Sequence, residues 1–221
     1  SELPLIKKVW YFVAATFNYK NGKATLYQED VLNRYNSLLG KVVPYDYRSH
    51  TTTNFRFKQK NNPNTPFIIS GAEDLHELRG HFISGMYAGK VDRHGVCNRV
   101  LARDELDKVR DGELPEKNSI VAYWDTSVGF SENGIGNTVV DISPNKLHSE
   151  GYNHPVRAMT GWNWNGKNDN FRLAHNEYGG IDFHPDSITD AKWEVSNTMT
   201  IPENLKSGAY AIRLRSGPGT G

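Results

Sequence analysis

The stretch VWYFVAATFNYKNGKATLYQEDV, residues 9–31, constrains the fold more than any other part of the chain. Two runs rich in aromatic and β-branched residues flank Asn21-Gly22, a pair that adopts the positive φ values of a type I′ turn, so the spacing predicts a β-hairpin. In its first strand Trp10, Phe12 and Ala14 point one way and Tyr11, Val13 and Ala15 the other. Apolar side chains on both faces predict a central strand, covered by a second sheet or a loop. The rest of the chain suits the same class: 20 glycines, 10 prolines and 11% aromatic residues favour short strands joined by tight turns over a helical bundle. The expected fold class is all-β.

Residues 33–66 are polar and broken by NNPNTP, which predicts a long loop holding one or two short strands. FIISG and HFISGMYAGKVDRHGVCNRVL return to strand chemistry. ARDELDKVRDG then places Leu106 and Val109 at helical spacing with Gly112 as the stop, the one short helix expected. The pattern changes at LPEKNS, which puts a boundary near Leu114 and divides the chain into 1–114 and 115–221. Beyond it, IVAYWDTSVGF, NTVVDISPNKLHS, GGIDFH and a closing SGAYAIRLR read as strands, the last with Ala209, Ala211 and Arg213 alternating with Tyr210 and Ile212. A half-sandwich alone would leave an apolar face and open edges in water, so the two segments are expected to close over one core.

With 26 basic and 25 acidic side chains the net charge is +1, and no global field draws the chain to nucleic acid or an anionic membrane. No apolar run approaches the roughly 20 residues of a spanning helix. Cys97 is the only cysteine, and no Asn begins an Asn-x-Ser/Thr sequon. These features point to a soluble protein in a cytoplasmic bacterial setting.

The most distinctive surface chemistry lies in MTGWNWNGKNDNF. Trp beside amide side chains can stack a sugar ring and bond its hydroxyls, which makes Trp162, Asn163, Trp164 and Asn165 the ligand candidates of a lectin-like, carbohydrate-binding module. The alternative is packing, since Trp162 and Trp164 share one face of an extended segment. DFHPD with His175 supplies imidazole and carboxylate ligands for a transition metal, giving His175, Asp182, His184 and Asp186 as candidates. Calcium could instead use Asp125, Asp141 or Asp182, although no EF-hand spacing is present. Cys97 sits in a strand pattern as a structural thiol, Ser lacks a G-x-S-x-G setting, and Glu105 and Asp107 lie on the helix as a solvated face.

Two sets of motifs carry a resemblance. The hairpin, LYQEDV, GKVD, NRVL and DEL, over residues 9–110, resemble the latter half of a laminin-G-like, concanavalin-A-like jelly roll. That likeness implies an antiparallel jelly-roll β-sandwich in which a one-turn helix plugs an open end. AYWD, PVRAMTGWNW, YGGIDFH and SGAYAIRLR resemble the large (beta) subunit of the N,N-dimethylformamidase family, amidohydrolases that split a small N-substituted formamide into formate and an amine. The chain departs from the family pattern at Asp182 and at Pro185-Asp186-Ser187. The resemblance implies iron held by tyrosines and a glutamate in a separate catalytic domain, with no cofactor in this chain. It implies two partners, that catalytic domain and a small second subunit. The role it implies here is a non-catalytic scaffold or interaction region.

Overall fold

A computed structural model describes residues 3–31, 35, 48–55, 66–76, 80–131, 134–184 and 194–213. The predicted hairpin forms: β1 (Trp10–Asn18) pairs antiparallel with β2 (Lys23–Val31) in unbroken register, Trp10 opposite Val31 and Asn18 opposite Lys23. Its turn differs from the two-residue I′ form. Residues 19–22 all lie in the loop, Asn18 Oδ1 accepts from the amides of Lys20 and Asn21 at 3.1 and 3.3 Å, and Gly22 alone turns left-handed, at φ 65°. The Asn18 side chain supplies the local bonds that organise the wider loop.

The expectation that the first strand is central is corrected. β3 (Arg48–Asn54) adds to β2, so the order is β1-β2-β3 and β1 lies at an edge. Its second face stays wet, with Val13 66% and Phe17 48% exposed. Apolar residues on both faces report hydrophobicity, whereas strand position is set by where the next partner arrives. β2, the true centre, carries the buried Ala24, Glu29 and Asp30. FIISG is also corrected: residues 67–71 form no strand, and the chain pairs only from β4 (Ala72–His76) with β5 (Gly80–Ser84).

The main core forms where two antiparallel sheets meet. β7 (His94–Cys97) pairs with β8 (Ile120–Trp124), while β6 (Gly89–Val91) joins the order β13-β14-β6 with β13 (Val156–Met159) and β14 (Gly180–Phe183). β6 and β7 precede Leu114; their partners β14 and β8 follow it. Ala122 and Trp124 from β8 pack against Ile181 and Phe183 from β14, Val96 from β7 and Val139 from β11 (Thr138–Val139). Tyr123 is buried on the opposite face of β8, so IVAYW is the continuous apolar run of a strand covered on both sides. Burying an indole the size of Trp124 removes about 200 Å2 from water, a gross gain of about 5 kcal/mol. Short pairs complete the strands: β9 (Phe130–Ser131) with β10 (Gly134–Ile135), and β11 with β12 (Ser149–Glu150).

The helix α1 (Arg103–Arg110) is the single α-helix among the described residues, and the fold is all-β as expected. It runs past one turn because Glu105 folds back onto the Ala102 amide at 2.8 Å and Arg103 pairs with Asp107 at i,i+4. Leu106 is its buried contact, and Gly112 at φ 97° ends it. Buried Glu29 of β2 holds it down: Arg103 pairs with Oε1 and Arg110 with Oε2 at 2.9 Å. Burial pushes the Glu29 carboxyl up, and the two guanidinium groups more than reverse this, leaving it below its ordinary value.

Residues 190–221 form a second unit. The closing strand expected around Tyr210 and Ile212 is absent there: residues 194–213 contain no helix or strand, and Tyr210 and Ile212 are 62% and 71% exposed. Alternation alone does not make a strand without a neighbouring ladder to bond its backbone. Leu214 onward lies outside the described residues.

Candidate functional site

Three motifs that are far apart in the chain meet around one carboxylate. Asp92 ends the GKVD run in the two-residue link between β6 and β7. Its Oδ1 accepts from the Thr126 hydroxyl at 2.9 Å and its Oδ2 from the Trp162 amide at 3.3 Å. Gly161 of TGWNW and Gly179 of YGGIDF line the same pocket; a Cβ at either would fall well inside van der Waals contact of the Asp92 oxygens. These glycines are there for close approach, since neither has positive φ. Burial pushes the Asp92 carboxyl up, further than Arg93, the Thr126 hydroxyl and the Trp162 amide pull it down.

Arg93 carries the junction outward. Its own amide donates to Thr126 Oγ1 at 3.1 Å, and its Nη2 donates to the Asn176 carbonyl at 3.0 Å. Its Nε lies 3.4 Å from Asp125 Oδ1, an oxygen also bonded by the Ser127 amide and hydroxyl. Arg157 of PVRAM donates to the carbonyls of Gly136 and Thr138 at 3.0 Å each. Lys90 gives its ammonium to Thr160 Oγ1 at 2.8 Å, with burial lowering its pKa against the pull of Asp182. Loops on both sides of Leu114 are thus tied by a network of polar groups, in which Arg93 Nε and Arg157 Nε alone of the two guanidinium groups' buried atoms make no hydrogen bond.

The four ligand candidates are drawn into this junction. Residues 162–163 form a turn rather than an extended segment, with the Trp164 amide on the Gly161 carbonyl at 3.3 Å, so the two tryptophans do not share a strand face. Trp162 lies against Gly112 at the end of α1. Trp164 donates its indole N–H to Asn168 O at 2.7 Å, where the Tyr178 hydroxyl donates as well. Asn163 donates to Asn176 O at 3.0 Å, and Asn165 donates to Glu177 Oε1 at 2.6 Å. The side-chain donors of Asn163, Trp164 and Asn165 are thus bonded within the chain, and all four residues are half-buried.

Nor are the metal candidates brought together. His175 stacks on Phe130, ring centroids 4.6 Å apart, in the 3-10 turn His175–Glu177. Asp182 lies in β14 opposite Lys90, His184 follows the strand, and Asp186 lies outside the described residues. Among the described residues no three His, Cys, Asp or Glu side chains gather as metal ligands would. Of the calcium candidates, Asp141 is wholly buried and accepts from the amides of Tyr123, Ser143 and Leu147 and from the Ser143 hydroxyl, at 2.7–2.9 Å. Burial raises that carboxyl and the four donors more than compensate, so it lies below its ordinary value. Asp141 clamps the 141–147 loop onto β8, a role its sequence neighbours VVDISPN did not single out.

One further group escaped sequence reasoning. His94 is half-buried with its Nδ1 fully covered and without a partner, stacks on Trp124 at 5.2 Å, and has its pKa lowered by desolvation to about 4. Cys97 is half-buried and its thiol is pushed up by burial, the opposite of an activated nucleophile. Glu105 and Asp107 bond Arg99 and Arg103, as a solvated helix face does. No helix among the described residues is long and apolar enough to cross a membrane.

Comparison with known proteins gives these motifs a family. Residues 156–220, which hold the Trp162 turn and β14, match the family model described as N,N-dimethylformamidase beta subunit-like, C-terminal. Over 217 residues, 97% of the chain, the sequence is 35% identical to the N,N-dimethylformamidase beta subunit of an Alcaligenes species. Over 220 residues, 98% of the chain, it is 36% identical to that of Paracoccus aminophilus. The chain spans 28% and 29% of those two subunits. The identity along nearly the whole length of the chain, with the match over residues 156–220, places it in the N,N-dimethylformamidase beta-subunit-like family.

Proposed function

We propose that this chain is a non-catalytic β-sandwich region of an N,N-dimethylformamidase-like amidohydrolase subunit, one that shapes and assembles the enzyme while bond cleavage takes place elsewhere in it. The observation that carries the proposal is the match of almost the whole chain to less than a third of each beta subunit. The side-chain chemistry supports it. The carboxylates of Asp92, Asp141 and Glu29 are bonded inside the fold, and the Trp/Asn turn gives donors to the Asn168 and Asn176 carbonyls and to the Glu177 carboxylate. Groups so committed hold loops in register and have no free valence for a reacting amide.

The parent reaction in this reading is hydrolysis of a small N-substituted formamide to formate and an amine, with iron held outside this chain. The partners are the catalytic region of the same subunit and a small second subunit, in the cytoplasm. Incubating the purified chain with N,N-dimethylformamide and measuring formate tests the assignment. No release above buffer is expected. Formate that scales with chain concentration and disappears in His184→Ala overturns it. Sugar binding in calorimetry that is abolished by Trp164→Ala would do the same in favour of a lectin-like module.

A further inference from the structure

We infer that the cleft between the β2-β3 pair and the start of α1 is a binding site for a carboxylate. The cleft has a volume of about 450 Å3 and is lined by Tyr27, Glu29, Arg48, Ser49, His50 and Arg103. That volume falls in the range of small-ligand sites, roughly 300–1,000 Å3. Its floor is built by cross-strand register: Tyr27 lies opposite His50 and Glu29 opposite Arg48. The Tyr27 and His50 rings stack at 6.4 Å and 27°, and the Arg103 guanidinium sits 5.7 Å from the Tyr27 centroid. One wall is therefore built of flat groups already stacked on one another.

The polar content of the cleft selects the sign of the ligand. Its one acid, Glu29, is already saturated, one oxygen by Arg103 and the other by Arg110. What remains is donor chemistry. The exposed Arg48 guanidinium, the Tyr27 hydroxyl and the His50 ring have no hydrogen-bond or ion-pair partner among the described residues. A ligand that only accepts, carries negative charge and is flat matches these donors, and a carboxylate meets the Arg fork with two parallel bonds. The source is either a free small carboxylate or an Asp or Glu side chain presented by another polypeptide.

Titrating the chain with sodium benzoate, with neutral benzamide as the shape control, tests the site by NMR of the His50 and Tyr27 rings. Saturable shifts with benzoate, at least tenfold weaker binding of benzamide, and at least tenfold weaker benzoate binding in Arg48→Gln are expected. Arg48 is exposed and unpaired, so that variant keeps the fold, and an unchanged amide spectrum checks it. Equal binding of benzoate and benzamide, an affinity unaffected by Arg48→Gln, or the absence of saturation overturns the proposal. N-acetyl-glutamate N-methylamide forms the second arm. Tighter binding than benzoate assigns the site to a protein side chain, and weaker binding assigns it to a free carboxylate; a carboxylate site stands in both cases.

Discussion

Mild acid should weaken this protein through His94 before most of its carboxylates are protonated. In the folded chain the half-buried imidazole stacks on Trp124 with its Nδ1 covered and unpartnered, and its pKa is lowered from 6.5 to about 4. The unfolded chain binds a proton below pH 6.5 that the folded chain refuses until about pH 4. Stability is therefore full above pH 6.5 and falls with pH across that window. Linkage between the two pKa values gives a loss of about 2 kcal/mol at pH 5 and about 3 kcal/mol at pH 4. That is a large share of the typical stability of a domain, about 5–15 kcal/mol. His94→Phe keeps a flat ring on Trp124 and removes the titration, and losing an unpartnered Nδ1 forfeits no hydrogen bond there. Urea unfolding of both proteins at pH 7.5, 6, 5 and 4.5 isolates the effect, because contributions from other groups cancel in the difference. The stability gap should open steadily below pH 6.5 in favour of the variant. A gap that stays within about 0.5 kcal/mol across the series refutes the assignment.

Three other substitutions probe the ties described above. Glu29→Gln should cost about 3 kcal/mol in urea unfolding, the lower end for breaking a buried ion pair because Arg103 is half in solvent, and α1 amides should exchange faster with deuterium. The Glu29 carboxyl is depressed, so its contribution is present above about pH 4.5 and lost as pH falls; the loss from Glu29→Gln should shrink in acid. Gly179→Ala should lose at least about 2 kcal/mol by overpacking against Asp92, and Asp92→Ala in the same chain should recover part of it. Asp141→Ala leaves three buried amides without an acceptor and should cost about 3 kcal/mol or more, measured by thermal unfolding.

Local patterns carried the hairpin, the helix and β8, because each is fixed by signals a few residues apart: an Asn-Gly turn, apolar residues at helical spacing before a glycine, and a continuous apolar run. Strand order was not legible. Val13 looked like core yet faces solvent, since nothing in residues 10–18 records that β3 joins β2. The ionic anchors were equally hidden, as Glu29 and Arg110 are 81 residues apart. Trp162 and Trp164 were misplaced by the assumption of an extended segment; Gly161, which admits Asp92, turns the chain there. The glycines of TGWNW and YGGIDF were visible as motifs, whereas the carboxylate that demands them sits some 70 residues upstream.

The central claim is that the stretches before and after Leu114 share one core, through β7 with β8 and β6 with β14. A protease site placed between Glu113 and Glu116 in the intact chain tests it directly. After cleavage the two pieces should still elute together in gel filtration and unfold in a single transition. Pieces that separate, with the later one keeping a sharp, dispersed amide spectrum, would contradict the account.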